Sequence, residues 1–333
     1  MRFPLRQTIS IARYVSAQKK KGNKRFPLVL MLEPLHACNL TCSGCGRIRE
    51  YQDSMSKMVS LKDCLKATDD CGAPVVSVCG GEPLLYPQIK ELVESLLVKK
   101  RVVYLCTNGQ VLKDKLSLFK PHPFFNINVH LDGLASTHDL IVEKKGAYQK
   151  AVEGIQLALA KGFTVCTNTT VYKQTTSSEL KKFIQEVKAL GVHGILISPS
   201  YSYEDVADQS IFMTTQEINK KFQDLDEVCR SKKIWSTPLY IDFLQGKRKF
   251  TCTPWGNVTY NIKGWKAPCY LITNEHYANY QDFMNKVNWD KFGPGQDKRC
   301  QYCMVHCGFE ATVALKTTES IKDALRMAYW TLI

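Results

Sequence analysis

No stretch of this sequence comes near the roughly eighteen consecutive apolar residues that a membrane-crossing helix needs. Residues 1–20 also lack the continuous apolar core of a secretory leader. A cytoplasmic chain is therefore expected. Low-complexity tracts are missing, and no repeat longer than a strand–helix unit recurs. Negative charge is in deficit, with 31 Asp and Glu against 45 Lys and Arg, a formal net charge of +14. Such a balance suits nucleic acid, an anionic lipid surface or an acidic substrate. No basic segment is interleaved with an aromatic platform, so nucleic acid is not an expected partner. Solubility and a membrane-facing surface remain as the two readings of the charge.

What the chain does have is cysteine, 14 in 333 residues. Disulfides are disfavoured in a reducing compartment. Most of these cysteines fall in two clusters, and the rest are scattered through apolar stretches. Metal or cluster binding accounts for that distribution better than a disulfide scaffold does.

Residues 1–24 form a basic segment in which Leu5, Ile9, Ala12 and Val15 recur at helical spacing among Arg2, Arg6, Arg13 and Lys19 to Lys21. Such a helix either lies on a bilayer or caps the main domain. Short apolar runs follow at 27–33, 74–79, 101–106, 126–131, 163–171 and 194–197, with helical patterns between them at 87–98, 147–159 and 178–190. The last is expected to be capped by Ser177 or Ser178 and to end at Gly191. Six strands alternating with helices predict a parallel α/β domain over 25–240. Its crossovers should be right-handed, and its site should lie at the carboxyl ends of the strands. Periodicity does not choose between an open sheet and a curled partial barrel. Farther on, 214–230 reads as a helix, 250–260 and 264–270 as a hairpin turning near Asn261 to Gly264, and 320–333 as a helix. A boundary is expected near residue 240, before a cysteine-rich extension over 241–333.

The first cysteine cluster is Cys38, Cys42 and Cys45, spaced C-x3-C-x2-C just past the first strand. Three thiolates on one loop can each bind one iron of a [4Fe–4S] cubane. The fourth iron is then free to chelate the amino and carboxylate groups of S-adenosylmethionine and to pass an electron into the sulfonium. A zinc site using these cysteines and His36 is the alternative.

At these residues the sequence resembles the radical SAM superfamily, and the resemblance implies a partial (β/α)6 TIM-like barrel. Gly80, Gly81 and Glu82 resemble the family's GGE motif at the methionine amino group. Asn108 lies in a Thr-Asn-Gly turn after the third strand. His130 and Asp132 end the fourth strand, and Asn168 and Thr170 lie on the fifth, where family members contact the ribose or carboxylate. One departure stands out. The residue before the third cysteine is usually aromatic and helps hold the adenine, but here it is Gly44, so adenine contacts are expected from elsewhere.

Further segments narrow the resemblance. The opening Arg25-Phe26-Pro27-Leu28, the run Cys252-Thr253-Pro254-Trp255-Gly256 and the tail from Cys300 to Glu310 are similar to those of the adenosyl-hopene transferases of hopanoid biosynthesis. This likeness implies that the 5′-deoxyadenosyl radical adds to the terminal alkene of diploptene, with S-adenosylmethionine as co-substrate. It implies a cysteine hydrogen donor at Cys106, with Cys79 as rival, and a reductant such as flavodoxin or ferredoxin. A C30 triterpene also implies contact with the inner face of the cell membrane.

Cys252, Gly264 and Cys269 fit C-x11-G-x4-C, which resembles the opening of twitch or SPASM extensions, and Cys300, Cys303 and Cys307 add thiolates. Five candidates exceed the four that a second [4Fe–4S] cluster needs. Zinc or a metal-free tail are the alternatives. Two rival functions stand beside the first, a peptide-modifying maturase with an auxiliary cluster and a non-enzymatic carrier. Maturases usually place a winged recognition domain before the barrel, and only about two dozen residues precede the first strand here.

Overall fold

The computed structural model describes residues 4–332. Nine strands form one sheet in the order β6-β5-β4-β3-β2-β1-β7-β8-β9. The first six are β1 (Val29–Leu32), β2 (Val75–Val78), β3 (Val102–Thr107), β4 (Phe125–His130), β5 (Thr164–Val171) and β6 (Gly194–Pro199). All six are parallel neighbours in sequence order. Stepping always in one direction with right-handed crossovers places every connecting helix on one face. The apolar residues of that face, among them Leu30, Val76, Val103, Leu105, Ile127 and Val129, join the helices in the main core.

The opposite face is different. The register aligns Met31, Ser77, Tyr104 and Asn126 in one layer. It aligns Cys106, Asn128 and Cys166 in the next, and His130 with Asn168 in a third. A polar and thiol-bearing face is not the apolar core of the domain, and it marks the side of the sheet where function is to be sought.

The N-terminal helix, Leu5–Lys20, closes the lower end of this interior. Gln7 is fully buried, and its Nε2 donates to Pro123 O at 2.8 Å and to Asn126 Oδ1 at 3.2 Å. Val15 packs with Phe26, Leu28 and Ala311. Of the two readings of the basic N-terminal segment, the cap on the domain is the one these contacts fit. Residues 1–3, with Arg2 among them, lie outside the described residues.

The element boundaries differ from expectation in several places. Thr176, not Ser177 or Ser178, caps Ser177–Ala189 by accepting from Glu179 N. The helix expected over 214–230 is two, Thr215–Asp224 and Asp226–Cys229, with Leu225 between them. The first carries a capping box of Thr214 and Glu217. Residue 240 falls inside helix Pro238–Leu244. The hairpin strands are β7 (Asn257–Asn261) and β8 (Gly264–Pro268), shortened because Pro254–Gly256 forms a 3-10 turn. β7 is parallel to β1, so the main sheet runs on into the extension. β9 (Thr273–Tyr277) gave no sequence signal, because an exposed edge strand of polar residues shows no apolar alternation. The last helix, Ile321–Leu332, exposes Ile321, Leu325, Tyr329 and Leu332 along one side. No helix among the described residues is long and apolar enough to cross a membrane.

Glu310 ties the extension to the barrel side. Its carboxylate accepts from Thr237 N at 2.9 Å and Thr237 Oγ1 at 2.8 Å. Burial pushes this carboxyl up to about 7, whereas an unfolded glutamate ionises near about 4.3. The folded chain therefore holds an extra proton between those values. Its stability falls as pH rises through that window and is level above it. Glu310→Gln, neutral at every pH, is expected to remove this fall. Thermal melts at about pH 5 and about pH 8 check it, the wild type losing more than the variant.

Candidate active site

The loop carrying Cys38, Cys42 and Cys45 leaves the carboxyl end of β1, and all three thiols are partly exposed. Burial is the main force on two of them. It raises Cys38 to about 11 and Cys42 well above the usual thiol range, and the charges of the neighbouring cysteines add to both shifts. Thiols that repel one another as thiolates are well suited to a cationic partner. Among the described residues no three Cys, His, Asp or Glu side chains converge as ligands of one ion would. A cubane asks for a different arrangement, one thiolate at each separate iron. His36 takes no part in the loop. It is buried, stacks on Tyr51 with ring centroids 3.9 Å apart, and its Nδ1 lies 3.0 Å from Ser54 Oγ.

Two turns buttress the loop. Gly80 has φ +104°, and a Cβ there would lie 2.3 Å from Leu35 O. At Gly81 it would lie 2.0 Å from Ala37 O. Only glycine lets this turn pass so close beneath the loop. Gly81 N donates to Leu35 O at 3.1 Å and Glu82 N to Ala37 O at 2.9 Å. Glu82 is wholly buried and accepts from Leu84 N, Thr107 Oγ1 and Asn108 N at 3.0, 2.8 and 2.8 Å. Burial still pushes it up to about 7 against those three bonds. Its carboxylate thus binds the two turns together. Asn108 Nδ2 donates to Asn39 Oδ1 at 2.8 Å and approaches Cys38 Sγ at 3.7 Å, clamping the loop from the β3 side.

At the end of β4, His130 Nε2 lies 2.6 Å from Asp132 Oδ2. That oxygen has no aligned hydrogen bond, so the contact is an ion-pair approach rather than a directed bond. Burial opposes a charged His130, but the Asp132 carboxylate outweighs it and raises the imidazole. Asp132 Oδ1 accepts from Thr170 N at 2.8 Å, joining β4 to β5. Asn168 Oδ1 is buried with no partner, an open acceptor at the mouth of the interior.

Cys106 lies one layer below. Its Sγ receives Asn128 Nδ2 at 3.6 Å, while Cys166 Sγ donates to Asn128 Oδ1 at 3.4 Å. Burial raises Cys106 to about 11, against the opposing contacts of Asn128 and Ser77. It is therefore a neutral S–H at neutral pH. The rival, Cys79, is buried, directly before the glycine turn in the chain.

The second cluster also comes together. Cys252, Cys269, Cys300, Cys303 and Cys307 line one cavity with Asn257, Tyr270 and Phe292. Burial raises Cys300 to about 11 and Cys307 to about 12, and Cys269 adds to both. Tyr203 connects the two sites. Its ring covers Gly46, where a Cβ would lie 2.3 Å from Cδ1, and it meets Tyr201 edge-on at 4.8 Å. Tyr201 packs with Cys300 and Cys307.

Sequence reading missed the charged support behind the loop. Arg49 Nη1 donates to Cys42 O at 3.2 Å and to Cys45 O at 2.6 Å. Arg47 pairs with Glu33 at 2.6 Å and Glu50 at 3.0 Å, and its guanidinium lies 4.1 Å from the Tyr270 ring centroid. Lys266, wholly buried on β8, donates to Glu50 at 3.1 Å and to Tyr270 O at 3.0 Å. A lysine inside the apolar strand Trp265-Lys266-Ala267 was the one available signal, since a buried charge demands a partner.

Comparison with known proteins shows what the chain is similar to. Residues 32–187 match the radical SAM superfamily, and 195–327 match a domain of unknown function, DUF3463. The subtilosin biosynthesis protein AlbA of Bacillus subtilis is 25% identical over 305 residues, covering 85% of this chain and 66% of its own. A GTP 3′,8-cyclase of Helicobacter pylori is 28% identical over 157 residues, covering 45% of this chain and 49% of its own. The chain thus spans about half to two thirds of the length of these relatives. In fold it is similar to Streptococcus suis SuiB bound to the precursor peptide SuiA, at 14% identity and a TM-score of 0.68, over 93% of this chain and 77% of that one. The fold is that of radical SAM enzymes, a six-stranded parallel barrel segment followed by a cysteine-rich extension. Its cofactors are a [4Fe–4S] cluster and S-adenosylmethionine.

Proposed function

We propose that this radical SAM enzyme joins the 5′-carbon of S-adenosylmethionine to the terminal alkene of diploptene, and that Cys106 supplies the hydrogen atom that ends the reaction. The placement of the Cys106 thiol in the barrel interior, in register with Asn128 and in contact with its amide, carries this reading. Cys38, Cys42 and Cys45 would hold the cluster, which when bound would supply the electron that cleaves the sulfonium of S-adenosylmethionine. No described donor reaches the carbonyls of Gly80 and Gly81, which leaves them as acceptors for the methionine amino group. Asn168 Oδ1 and His130 offer polar contacts to the ribose or carboxylate. Asp132 positions them from behind, through His130 and Thr170.

Addition to a 1,1-disubstituted alkene leaves a tertiary carbon radical. Cys106 gives that carbon a hydrogen atom, and its thiyl radical returns to the thiol with one electron from a flavodoxin- or ferredoxin-type reductant and one proton from solvent. In Cys106→Ala, adenosylhopane yield is expected to fall about tenfold or more, ~1.4 kcal/mol in barrier, while S-adenosylmethionine cleavage continues. Unchanged yield contradicts the role.

A second reading, a peptide-modifying maturase, is the one the relatives favour. The subtilosin biosynthesis protein aligns with most of the chain, and the SuiB fold holds a precursor peptide. By similarity alone it is the better supported. The five-thiol cavity suits it, as an auxiliary cluster able to accept an electron from a substrate radical. A reaction ending in that way has no use for a hydrogen donor.

An anaerobic assay separates the two readings. It contains the reconstituted chain, reductant, S-adenosylmethionine and dispersed diploptene, followed by mass spectrometry. An adduct of hopane plus adenosyl supports addition. Free 5′-deoxyadenosine without adduct moves the maturase reading to the front. Contact with the bilayer belongs to the first reading. The apolar stripe Ile321, Leu325, Tyr329 and Leu332, beside Lys322 and Arg326, supports it. Supplying diploptene in anionic vesicles should then sustain turnover, with Leu325→Glu abolishing the benefit.

A further inference from the structure

Three side chains in the middle layer of the barrel interior touch one another in a line. The register sets Cys106 of β3, Asn128 of β4 and Cys166 of β5 directly side by side. Residues in register on neighbouring strands project to one face, so the Asn128 carboxamide stands between the two sulfurs. Its two ends face different partners. Oδ1 accepts from Cys166 Sγ at 3.4 Å, and Nδ2 donates to Cys106 Sγ at 3.6 Å.

A carboxamide can present either end to a given neighbour, and its surroundings decide which. Cys166 is wholly buried, whereas Cys106 is partly exposed. Turning the amide over would leave the Cys166 hydrogen facing an N–H group with no water to bond instead. A buried donor stranded in that way is costly. Cys166 therefore keeps Oδ1 on its own side and Nδ2 on the side of Cys106. The consequence falls on the Cys106 hydrogen. Asn128 donates to the sulfur, and the Ser77 hydroxyl acts on the thiol in the same sense. Tyr104 O, an acceptor for the Cys106 S–H, is 4.0 Å away, the outer limit for such a bond. With the amide reversed, Oδ1 would take that hydrogen.

We infer that Asn128 is a positioning residue for hydrogen transfer from Cys106, and that Cys166, by fixing the amide, keeps the Cys106 S–H free to leave. This rests on the reading of Cys106 as the donor. The transfer breaks the Cys106 S–H bond and forms one C–H bond on the tertiary carbon radical. Cys166 keeps its own hydrogen throughout. Its backbone lies two strand spacings from that of Cys106, roughly 9 Å, and a disulfide needs Cα atoms within about 7 Å.

The test measures two quantities in the full chain. The first is the partition, adenosylhopane formed per S-adenosylmethionine cleaved by the anaerobically reconstituted enzyme. The second is the rate of Cys106 alkylation by iodoacetamide before reconstitution, followed by peptide mass spectrometry, because a donor on sulfur favours the reactive thiolate. Cys166→Ala and Cys166→Ser shrink the side chain alike, but only serine keeps a donor for Oδ1. Cys166→Ala is expected to lower the partition about fivefold, and Cys166→Ser to stay within about twofold of wild type. Asn128→Leu, close in volume and without a polar atom, lowers it about tenfold and slows Cys106 alkylation about threefold or more. Cleavage of S-adenosylmethionine stays within about twofold in all three. Equal losses in Cys166→Ala and Cys166→Ser overturn the inference, since volume rather than the donor is then what counts. A partition unchanged in both Cys166→Ala and Asn128→Leu also overturns it, whatever the alkylation rate. Cys106→Ala runs beside them. An unchanged partition there, or no adenosylhopane from the wild type, brings down the donor reading and this inference with it. A fall in Cys106→Ala alone removes only the roles of Asn128 and Cys166.

Discussion

Cys42→Ala is expected to abolish reductive cleavage of S-adenosylmethionine and to lower the iron content by about four atoms per chain, the content of one cubane. Each loop thiolate binds its own iron in this account, so none can stand in for another. Nothing nearby replaces the lost ligand. His36 is stacked on Tyr51 and bonded to Ser54, and Asn108, which approaches Cys38, offers an amide. The fall in turnover should exceed about a thousandfold, ~4 kcal/mol in barrier. Iron analysis and 5′-deoxyadenosine release measure the two effects separately. Iron and cleavage both persisting in the variant would remove the loop from the mechanism. The five thiols of the extension lie outside this loop, so any iron bound there should survive the change.

The second large effect concerns stability. Arg47 is buried and meets Glu33, which is wholly buried, at 2.6 Å. Replacing it with methionine leaves the Glu33 carboxylate without its cation in a low-dielectric site. Breaking a buried pair in this way costs about 3–5 kcal/mol, and chemical denaturation reads the loss directly. The double variant Glu33→Gln with Arg47→Met removes both charges and should recover a large part of the loss. Additive losses would show that the two groups do not act as a pair. Glu50 extends the argument to pH. Burial acts to raise its carboxyl, but Lys266 and Arg47 outweigh burial and hold it down near about 2. That contribution is present above the unfolded value and is lost as pH falls toward the folded one.

Much of the barrel was legible in the sequence, because each parallel strand is buried and reads as a short apolar run. Val75-Val76-Ser77-Val78 and Val102-Val103-Tyr104-Leu105 are examples. The cysteine loop was legible because its three thiols sit within eight residues of one another. The extension thiols were recognised as a set, and the fold does bring all five to one cavity. What the sequence hid were contacts across long separations. Lys266 meets Glu50 from 216 residues away, and no local pattern announces such a pair. The packing of Tyr172 over Gly44 lay hidden for the same reason, since only the placement of β5 beside the loop brings the two together. The edge strand β9 was invisible because solvent-facing residues carry no alternation to detect.

The most direct test of the account runs the diploptene reaction in deuterium oxide. The Cys106 S–H exchanges with solvent, so the account predicts one carbon-bound deuterium in adenosylhopane, and a yield of that product lower by about tenfold or more in Cys106→Ala. An adduct formed without deuterium, or 5′-deoxyadenosine with no adduct at all, would contradict it.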